Sequence, residues 1–339
     1  MNLSKARASR ILGRFPSCRI LVVGDLMLDR FVYGDVTRIS PEAPVPVVRV
    51  TRETAMPGGA SNVASNIRAL GAVASVAGML GKDAAGDELR WLLSEAGVDT
   101  PAVTKSAERS TIVKTRIIAS RQQVVRVDYE HAFPSSGRDT KKFLALLALE
   151  LDRADGVILE DYGKGTLSQE ATDLVLAAAA RRGIPVGLDP KDGHDLAFDG
   201  ITVATPNRKE AFAIAGVPDA GAAADPLKDK PLLKVGETLL EKWKAAHVAI
   251  TLGAQGMFLL SKGQAPRHLP TRAQEVYDVS GAGDTVIAAC VSALAAGADF
   301  FSAAALANEA AGVVVGKLGT ASCSPGELVA HLASGKERA

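Results

Sequence analysis

The sequence contains few cysteines, few histidines and few aromatic residues. Among its 339 residues, 4% are aromatic and three are cysteine. Because Cys18, Cys290 and Cys323 are widely spaced and odd in number, they exclude a disulfide framework and indicate reduced thiols in a cytoplasmic protein. The five histidines form neither an HExxH motif nor a paired ligand spacing, so no zinc site is expected.

Strong charge and long hydrophobic runs are also missing. The formal net charge is +1 at pH 7 without a basic block, which argues against nucleic acid as the main partner. No apolar run approaches the roughly 18 residues of a transmembrane helix, so no membrane partner is expected. Residues 1–14 are basic but lack the apolar core of a secretory signal, and they favour a short helix.

What is present is an alternation of β and α patterns. It predicts an α/β fold with a mainly parallel sheet, right-handed crossovers and helices on both faces, in one domain over residues 1–339. The predicted strands are 19–23, 73–77, 156–159, 184–188, 201–204, 248–252 and 257–260. The first of the predicted helices is introduced by residues 57–62 and runs to about residue 70. The others cover 83–96, 140–153, 168–182, 207–215, about 235–245, 282–296 and 302–316.

Two β-rich segments stand apart from this alternation. Residues 31–50 are dense in proline, which indicates an edge strand or an exposed flap. Residues 112–128 alternate around Ser120 and Arg121 and predict a β-hairpin. Together they predict a small β-sheet lid inserted in the α/β domain. An independent second domain around the hairpin is the weaker alternative, because α/β elements interrupt the β-rich segments.

Polar and glycine-rich segments follow five of the predicted strands. Ligands of parallel α/β sheets bind beyond the carboxyl ends of the strands, so these segments predict a site at that end of the sheet. Each acid or asparagine could instead be an ordinary helix cap. The segments begin at Gly24-Asp25, Glu160-Asp161, Asp189-Pro190, Thr205-Pro206 and Gly253-Ala254.

Residues 281–284, Gly-Ala-Gly-Asp, precede an apolar run that predicts a helix from Thr285. A turn of small residues opening into a helix leaves backbone N–H groups pointing at one spot, where the helix dipole favours a phosphate or a developing oxyanion. Asp284 could accept a proton there or simply cap the helix. Taken alone, this stretch favours an ordinary helix start.

Three motifs together resemble the ribokinase-type (PfkB) carbohydrate kinase family over nearly the whole chain. They are Gly58-Gly59 with Asn62, Thr205-Pro206-Asn207 with Glu210, and Asp278-Val-Ser-Gly-Ala-Gly-Asp284. Many members have Thr-x in place of Val-Ser, and the Gly-Gly signature is one residue shorter here than in ribokinases. The resemblance implies a ribokinase-like (Rossmann-like) fold and a phosphotransferase that uses ATP and Mg²⁺, with a monovalent cation as an optional cofactor.

Further segments resemble one branch of this family, the D-glycero-β-D-manno-heptose 7-phosphate kinases of lipopolysaccharide biosynthesis. These segments are 22–30, 39–47, 161–165, 189–191 and 273–279. The resemblance implies phosphorylation of O1 of heptose 7-phosphate to the 1,7-bisphosphate, on the route to ADP-heptose. Many members are fused to an adenylyltransferase. This sequence has no His-x-Gly-His motif and resembles the stand-alone kinase.

The resemblance implies roles for the residues of the Gly-Ala-Gly-Asp stretch. Asp284 matches the catalytic base, and the N–H groups of Gly281, Ala282 and Gly283 match an anion hole for the transferring phosphate. A carboxylate beside a helix N-terminus is expected to be a weak base, because the dipole favours its ionised form. Positioning is expected to matter more than base strength, since phosphoryl transfer is largely dissociative.

The resemblance also implies binding residues, each with a capping or turn alternative. Asp29 matches the sugar-binding acid, and the loop with Gly58, Gly59 and Asn62 approaches the sugar hydroxyls. Glu210 organises Mg²⁺ through water. The residues expected on the nucleotide side are Asn207, Glu210, Thr251, Gly253, Gly256 and Asn308.

The phosphate that the substrate already carries requires a cation. Lys164 and Arg116 are the first candidates and Lys191 and Arg38 the next, although such residues are usually only solvated. Asp189, beside Lys191, is a further expected substrate-binding residue. The lid is expected to form a homodimer, because exposed strand edges invite pairing and lids of this family often clasp a second subunit.

Other functions remain open at this point. The first alternative is another sugar kinase of the same family, such as a ribokinase or a phosphofructokinase-like enzyme. A non-catalytic protein that senses sugar or nucleotide is an alternative of another class. A dinucleotide-dependent oxidoreductase is disfavoured, because Val286 stands where the third glycine of a dinucleotide-binding fingerprint would be.

Overall fold

Two β-sheets and ten α-helices are present in the described part of a computed structural model, which covers residues 3–119, 122–130, 137–273, 276–317, 319 and 321–334. The strands are β1 (Arg19–Gly24), β2 (Leu26–Ile39), β3 (Pro46–Gly59), β4 (Val73–Gly81), β5 (Asp99–Ser106), β6 (Ile112–Ala119), β7 (Gln122–Tyr129), β8 (Gly156–Glu160), β9 (Val186–Asp189), β10 (Val203–Ala204), β11 (His247–Thr251), β12 (Met257–Ser261) and β13 (Arg267–Leu269). The helices are α1 (Lys5–Leu12), α2 (Ala60–Ala69), α3 (Ala84–Glu95), α4 (Arg138–Leu151), α5 (Gln169–Arg182), α6 (Arg208–Ala215), α7 (Lys230–Lys242), α8 (Ala282–Ala295), α9 (Phe300–Val314) and α10 (Pro325–Ser334).

The larger sheet has nine strands in the order β13-β12-β11-β10-β9-β8-β1-β4-β5. All neighbouring pairs from β11 to β5 are parallel, whereas β12 and β13 are antiparallel additions at one edge. This arrangement confirms the predicted mainly parallel sheet. It also places the carboxyl ends of β1, β8, β9, β10 and β11 side by side.

Helices cover both faces of this sheet, as predicted. Strand β1 shows why its sequence is apolar without alternation: Ile20 and Val22 pack into the core beneath α2, α8 and α9, whereas Leu21 and Val23 pack into the core beneath α4 and α5. Strands that are buried on both faces have no side left for polar residues. Among the described residues, no helix is both long and apolar enough to cross a membrane.

The smaller sheet, which we call the lid sheet, has the strand order β3-β2-β6-β7. Its edge strand β3 contains Pro46 and Pro57, in agreement with the prediction of a proline-bearing edge. Strands β6 and β7 form the predicted antiparallel hairpin, and its turn at Ser120 and Arg121 lies outside the described residues.

The lid sheet extends further than the predicted segment 31–50. Strands β2 and β3 have 14 residues each and pair from Leu26 with Gly59 out to Ile39 with Pro46. The first residues of β2 were missed because Leu26–Leu28 are all buried, so the sequence there lacks the period-2 alternation of a half-exposed strand.

Three further elements were not predicted from the sequence. Strand β5 contains Asp99, Pro101 and Lys105, which interrupt its apolar pattern, and it lies at one edge of the large sheet. Strand β13 has three residues, and α10 follows the last predicted helix. The short N-terminal helix was predicted; it is α1, and the Ser4 hydroxyl caps it by accepting from the Arg7 N–H.

Candidate active site

The polar segments that follow the parallel strands meet at one end of the large sheet. In the register of the sheet, Gly24 lies beside Glu160, and Glu160 lies beside Asp189. The structure therefore brings together strand ends that are far apart in the sequence. Two of the acids have structural roles: Asp25 accepts hydrogen bonds from the backbone N–H groups of Lys164 and Thr166, and Asp161 pairs with His194.

Asp284 lies in the first turn of α8, at the centre of this end of the sheet. Gly281 precedes the helix in the left-handed conformation, with φ of 77°, which glycine adopts without strain. The side-chain amide of Asn62 on α2 donates to Oδ2 of Asp284 at 2.5 Å. One turn further along α2, Oδ1 of Asn66 accepts a hydrogen bond of 3.0 Å from the hydroxyl of Thr285, the residue after Asp284. Two polar contacts thus fix α2 against α8.

Three carboxylates converge where these elements meet. Glu160, Asp189 and Asp284 each offer an oxygen, and the three oxygens lie within 4.8 Å of one another. Burial raises the pKa values of Glu160 and Asp189 well above their usual range, and the charges of neighbouring carboxylates raise them further. Oε2 of Glu160 is buried without a hydrogen-bond partner in the described part of the chain. A set of oxygen ligands with uncompensated negative charge fits Mg²⁺.

The expectation that the helix dipole makes Asp284 a weak base is wrong. Part of the side chain is open to solvent, but the surrounding protein desolvates the carboxylate and raises its pKa to about 6. The hydrogen bond from Asn62 acts in the opposite direction, and the charge of Asp29 adds to the increase. Desolvation therefore outweighs the dipole, and Asp284 can take up a proton near neutral pH.

The turn before α8 only partly matches the predicted anion hole. The N–H of Ala282 donates to the Val279 carbonyl oxygen at 3.3 Å, so it is not unpaired as predicted. The N–H groups of Gly281 and Gly283 have no hydrogen-bond partner within the ranges that the structure describes. Two of the three predicted donors remain available to an anion.

The lid side of the site is formed by Asp29 and the end of β3. Oδ1 of Asp29 lies 2.8 Å from Nη1 of Arg116, and neither atom has an aligned hydrogen-bond partner among the described residues. A side chain on Gly58 would meet Oδ2 of Asp29 at 2.8 Å, and one on Gly59 would meet the Asp25 carbonyl oxygen at 2.7 Å. The glycines are therefore required for the strand to pass this close to Asp29 and Asp25.

The predicted phosphate-binding cations lie in different places. Lys164 is near the lid, with Nζ 2.8 Å from Oε1 of Glu130. Lys191 is exposed beyond β9 and lies 2.9 Å from Asp192. Arg38 is exposed near the far end of β2. The structure brings Arg116 and Lys164 to the site, and it does not bring Arg38 there.

A cavity of about 280 Å³ lies on the other side of the α8 turn. The predicted residues Thr251, Gly253, Gly256, Gly283 and Asn308 all line it. The remaining walls are mostly apolar, which suits a flat aromatic base. The Asn308 amide donates to the Pro270 carbonyl oxygen at 2.8 Å and is thereby fixed in orientation.

Asn207 and Glu210 form a capping box at the start of α6. Oδ1 of Asn207 accepts from the Glu210 N–H, and Oε2 of Glu210 accepts from the Asn207 N–H, both at 3.0 Å. The capping alternative is thus present. It does not remove Glu210 from the site, because its charge raises the pKa values of both Glu160 and Asp189.

Three residues near the site were not singled out from the sequence. Glu160 was noted only as part of a strand-end segment, and its metal-binding geometry depends on Asp189 of the neighbouring strand. Tyr162 is half-buried, and the charge of Asp284 is the first cause of its raised pKa. Lys114 lies two residues before Arg116 on β6, and the period of two could have indicated that both face the same side.

Comparison with known proteins identifies the family. Residues 18–327 match the model of the pfkB family carbohydrate kinases. The chain belongs to this family. It is therefore a phosphotransferase that acts on a carbohydrate.

Curated relatives and solved structures agree with this assignment. The chain is similar to the bifunctional protein HldE of Magnetococcus marinus, with 46% identity over 91% of this chain and 63% of the relative. It is also 45% identical to HldE of Geobacter sulfurreducens, over 92% of this chain and 62% of the relative. The chain thus spans less than two thirds of the length of these relatives.

The fold is similar to that of ribokinases and phosphofructokinase-2. The structure of Arabidopsis thaliana ribokinase complexed with ribose and ATP has a TM-score of 0.69 at 20% identity, covering 93% of this chain and 98% of that one. Phosphofructokinase-2 from Escherichia coli in complex with fructose-6-phosphate has a TM-score of 0.69 at 21% identity, covering 94% and 98%. These similarities confirm the ribokinase-like fold.

Asn62→Ala should move the acidic limb of the pH–rate profile to higher pH. The hydrogen bond from Asn62 lowers the pKa of Asp284, so its loss raises that pKa above about 6, and less of the base is ionised at a given pH. We expect the midpoint of the acidic limb in the pH profile of kcat/KM to shift by about one pH unit. Ser65→Ala, which removes a hydroxyl on α2 that is bonded to the Ser61 carbonyl oxygen of the same helix, is the control with an unshifted limb. An unshifted limb in Asn62→Ala would contradict this account of Asp284.

Proposed function

We propose that the protein is an ATP-dependent kinase that phosphorylates O1 of D-glycero-β-D-manno-heptose 7-phosphate, with residues 1–339 acting as one kinase domain and its lid. The observation that supports a phosphoryl-transfer site most directly is the position of Asp284. It follows Ala282 and Gly283, which line the cavity beside α8, and it is bonded to Asn62, next to the glycines that approach Asp29. A proton acceptor between two binding spaces suits transfer from one ligand to the other.

The heptose substrate is supported by the relatives. Those named HldE carry a heptose 7-phosphate kinase domain, and they are 41–46% identical to this chain over 91–97% of its length. We infer a role in ADP-heptose and lipopolysaccharide synthesis. ATP as the donor and three buried free cysteines support a cytoplasmic location.

The positions of the residues support the following reaction. Asp29 and Asn62 orient the sugar hydroxyls. Asp284 accepts the proton of the O1 hydroxyl while the sugar oxygen O1 attacks the γ-phosphorus of ATP. The bond from that phosphorus to the β,γ-bridging oxygen breaks, and ADP leaves. The N–H groups of Gly281 and Gly283 face the charge that develops on the transferring phosphoryl group.

Mg²⁺ would be held by the carboxylates of Glu160 and Asp189, with Glu210 acting through water. When bound, the ion neutralises phosphate charge. The protein's own contribution is to bury these acids in one cluster, where desolvation and then mutual repulsion raise the pKa values of Glu160 and Asp189 and favour a cation.

Asp284→Asn should abolish most of the phosphoryl transfer and leave ATP binding in place. The amide preserves the shape of the side chain but cannot accept the proton. We expect kcat to fall by about 10²- to 10⁴-fold, while the Kd for ATP changes by less than about threefold. Asp195→Asn is the control with unchanged turnover, because Asp195 is a fully exposed acid that follows the carboxyl end of β9. Near-normal kcat in Asp284→Asn would overturn the assignment of the base.

The substrate itself is tested by ³¹P NMR. With MgATP and heptose 7-phosphate, we expect a new resonance from an anomeric phosphate at O1, while the 7-phosphate resonance is retained. A panel of sugars and sugar phosphates is run alongside, because ribokinase-like and phosphofructokinase-like activities are the alternatives within the family. Faster turnover of a different sugar would reject the heptose and leave the kinase assignment intact.

We also propose that the lid sheet forms a homodimer. Val125 and Val127 on β7 point away from the site, on the opposite face from Arg126 and Asp128, and both are more than a third exposed. Further exposed apolar residues of the sheet and its connecting loop are Ile39, Val45, Val50 and Val124. An apolar face on an open sheet favours a second copy of the same face.

The dimer should dissociate when this face is charged. The chain has a mass of 35.2 kDa, so light scattering should give about twice that mass for the wild type and the single-chain mass for Val125→Lys with Val127→Lys. Leu149→Lys is the control, because Leu149 on α4 is even more exposed than the two valines but lies outside the lid sheet. A wild-type protein that is monomeric at micromolar concentration would contradict the proposal.

A further inference from the structure

The inner face of the lid sheet carries a row of charged residues. Lys114 on β6 lies beside Asp29 of β2 on one side and beside Asp128 of β7 on the other. Arg116 follows two residues later and therefore points to the same face. Lys114 lies over the ring of Tyr162, which follows β8, so this face is turned toward the carboxyl ends of the strands in the large sheet.

Further out on this face, Arg52 lies over the Tyr33 ring. Nearer the site, all but one of the cations have their own carboxylate. We call the group the lid charge cluster; it consists of Asp29, Lys114, Arg116, Arg126, Asp128, Glu130 and Lys164. Arg116 pairs with Asp29, Arg126 with Asp128 and Lys164 with Glu130, each at 2.8 Å. Lys114 forms no ion pair with any residue that the structure describes. Four cations against three carboxylates leave one positive charge, at Lys114.

Lys114 is held in place despite lacking a counter-ion. Its ammonium group lies over the ring of Tyr162, 5.1 Å from the ring centre. Tyr162 in turn lies near Asp284, whose charge raises the pKa of the phenol. Burial lowers the pKa of Lys114, and the charges of Asp29, Glu130 and Asp128 act in the opposite direction. The ammonium group is thus positioned between the lid and the base.

Lys114 is half-buried and has no carboxylate of the described residues in direct contact, so the negative charge of a ligand would complete its surroundings. We propose that Lys114 binds the phosphate group that the sugar substrate already carries, and that it thereby makes the enzyme prefer phosphorylated sugars. This inference rests on the proposed function, since it assigns one residue to the second phosphate of that substrate. Arg116 and Lys164 were the first candidates from the sequence. A phosphate bound to either of them would also lie beside the carboxylate with which that residue is already paired.

The test compares one sugar with and without its phosphate. KM and kcat are measured for heptose 7-phosphate and for the unphosphorylated heptose, with wild-type enzyme and with Lys114→Met. Methionine keeps the unbranched stem over Tyr162 and removes the charge. We expect KM for the sugar phosphate to rise by about 10- to 100-fold, as for loss of a charge-assisted hydrogen bond. KM for the unphosphorylated sugar, KM for ATP and kcat should change by less than about threefold.

Two further variants separate charge from packing. Lys114→Arg should restore most of the preference for the phosphorylated sugar. Lys105→Met removes another partly buried lysine, one on β5 that is paired with Asp87, and should leave all constants unchanged. Thermal unfolding of each variant shows whether the fold is retained.

The remaining outcomes overturn the inference. An equal rise in KM for both sugars would make Lys114 a packing residue for the Tyr162 loop. A fall in kcat for both sugars at unchanged KM would place it on the γ-phosphoryl group of ATP. If the wild type uses neither heptose, the proposed function fails, and the same comparison is made with the substrate that the panel identifies. If that substrate carries no phosphate, this inference fails as well.

Discussion

The hydrogen bond between Asn62 and Asp284 is the contact on which the arrangement of the site depends. It joins α2, which continues the lid strand β3, to α8, which begins at the glycine turn beside the cavity. A buried polar pair is satisfied in only one register of the two helices, because a shift would leave both groups without partners. The hydrogen bond between Thr285 and Asn66, one turn further along α2, fixes the same register.

The charges of the site are separated although the whole chain is nearly neutral. The net charge of +1 concerns solubility and says nothing about the interior. Glu160, Asp189 and Asp284 place three carboxylates at the ends of the strands, whereas the lid charge cluster carries a surplus cation. Opposite local charges of this kind would orient a ligand that is itself charged unevenly.

The alternation of strands and helices was predictable because a strand buried on both faces has a continuous apolar sequence. The location of the site at the strand ends followed from the same pattern. The raised pKa of Asp284 was not predictable, since it results from desolvation by elements that are distant in the sequence, with Asn62 as the opposing partner. The convergence of Glu160 with the other carboxylates was missed for a similar reason: its neighbour Asp189 belongs to another strand, and strand order is set by tertiary packing.

Strand β3 passes into α2 without an intervening loop, because the strand ends at Gly59 and the helix begins at Ala60. The lid sheet and the helix that carries Asn62 are therefore joined directly through the backbone. A displacement of the lid that carries α2 with it would change the distance from the Asn62 amide to Asp284, and with it the basicity of that carboxylate. The lid is thus connected to the carboxylate of Asp284 through one helix and one hydrogen bond.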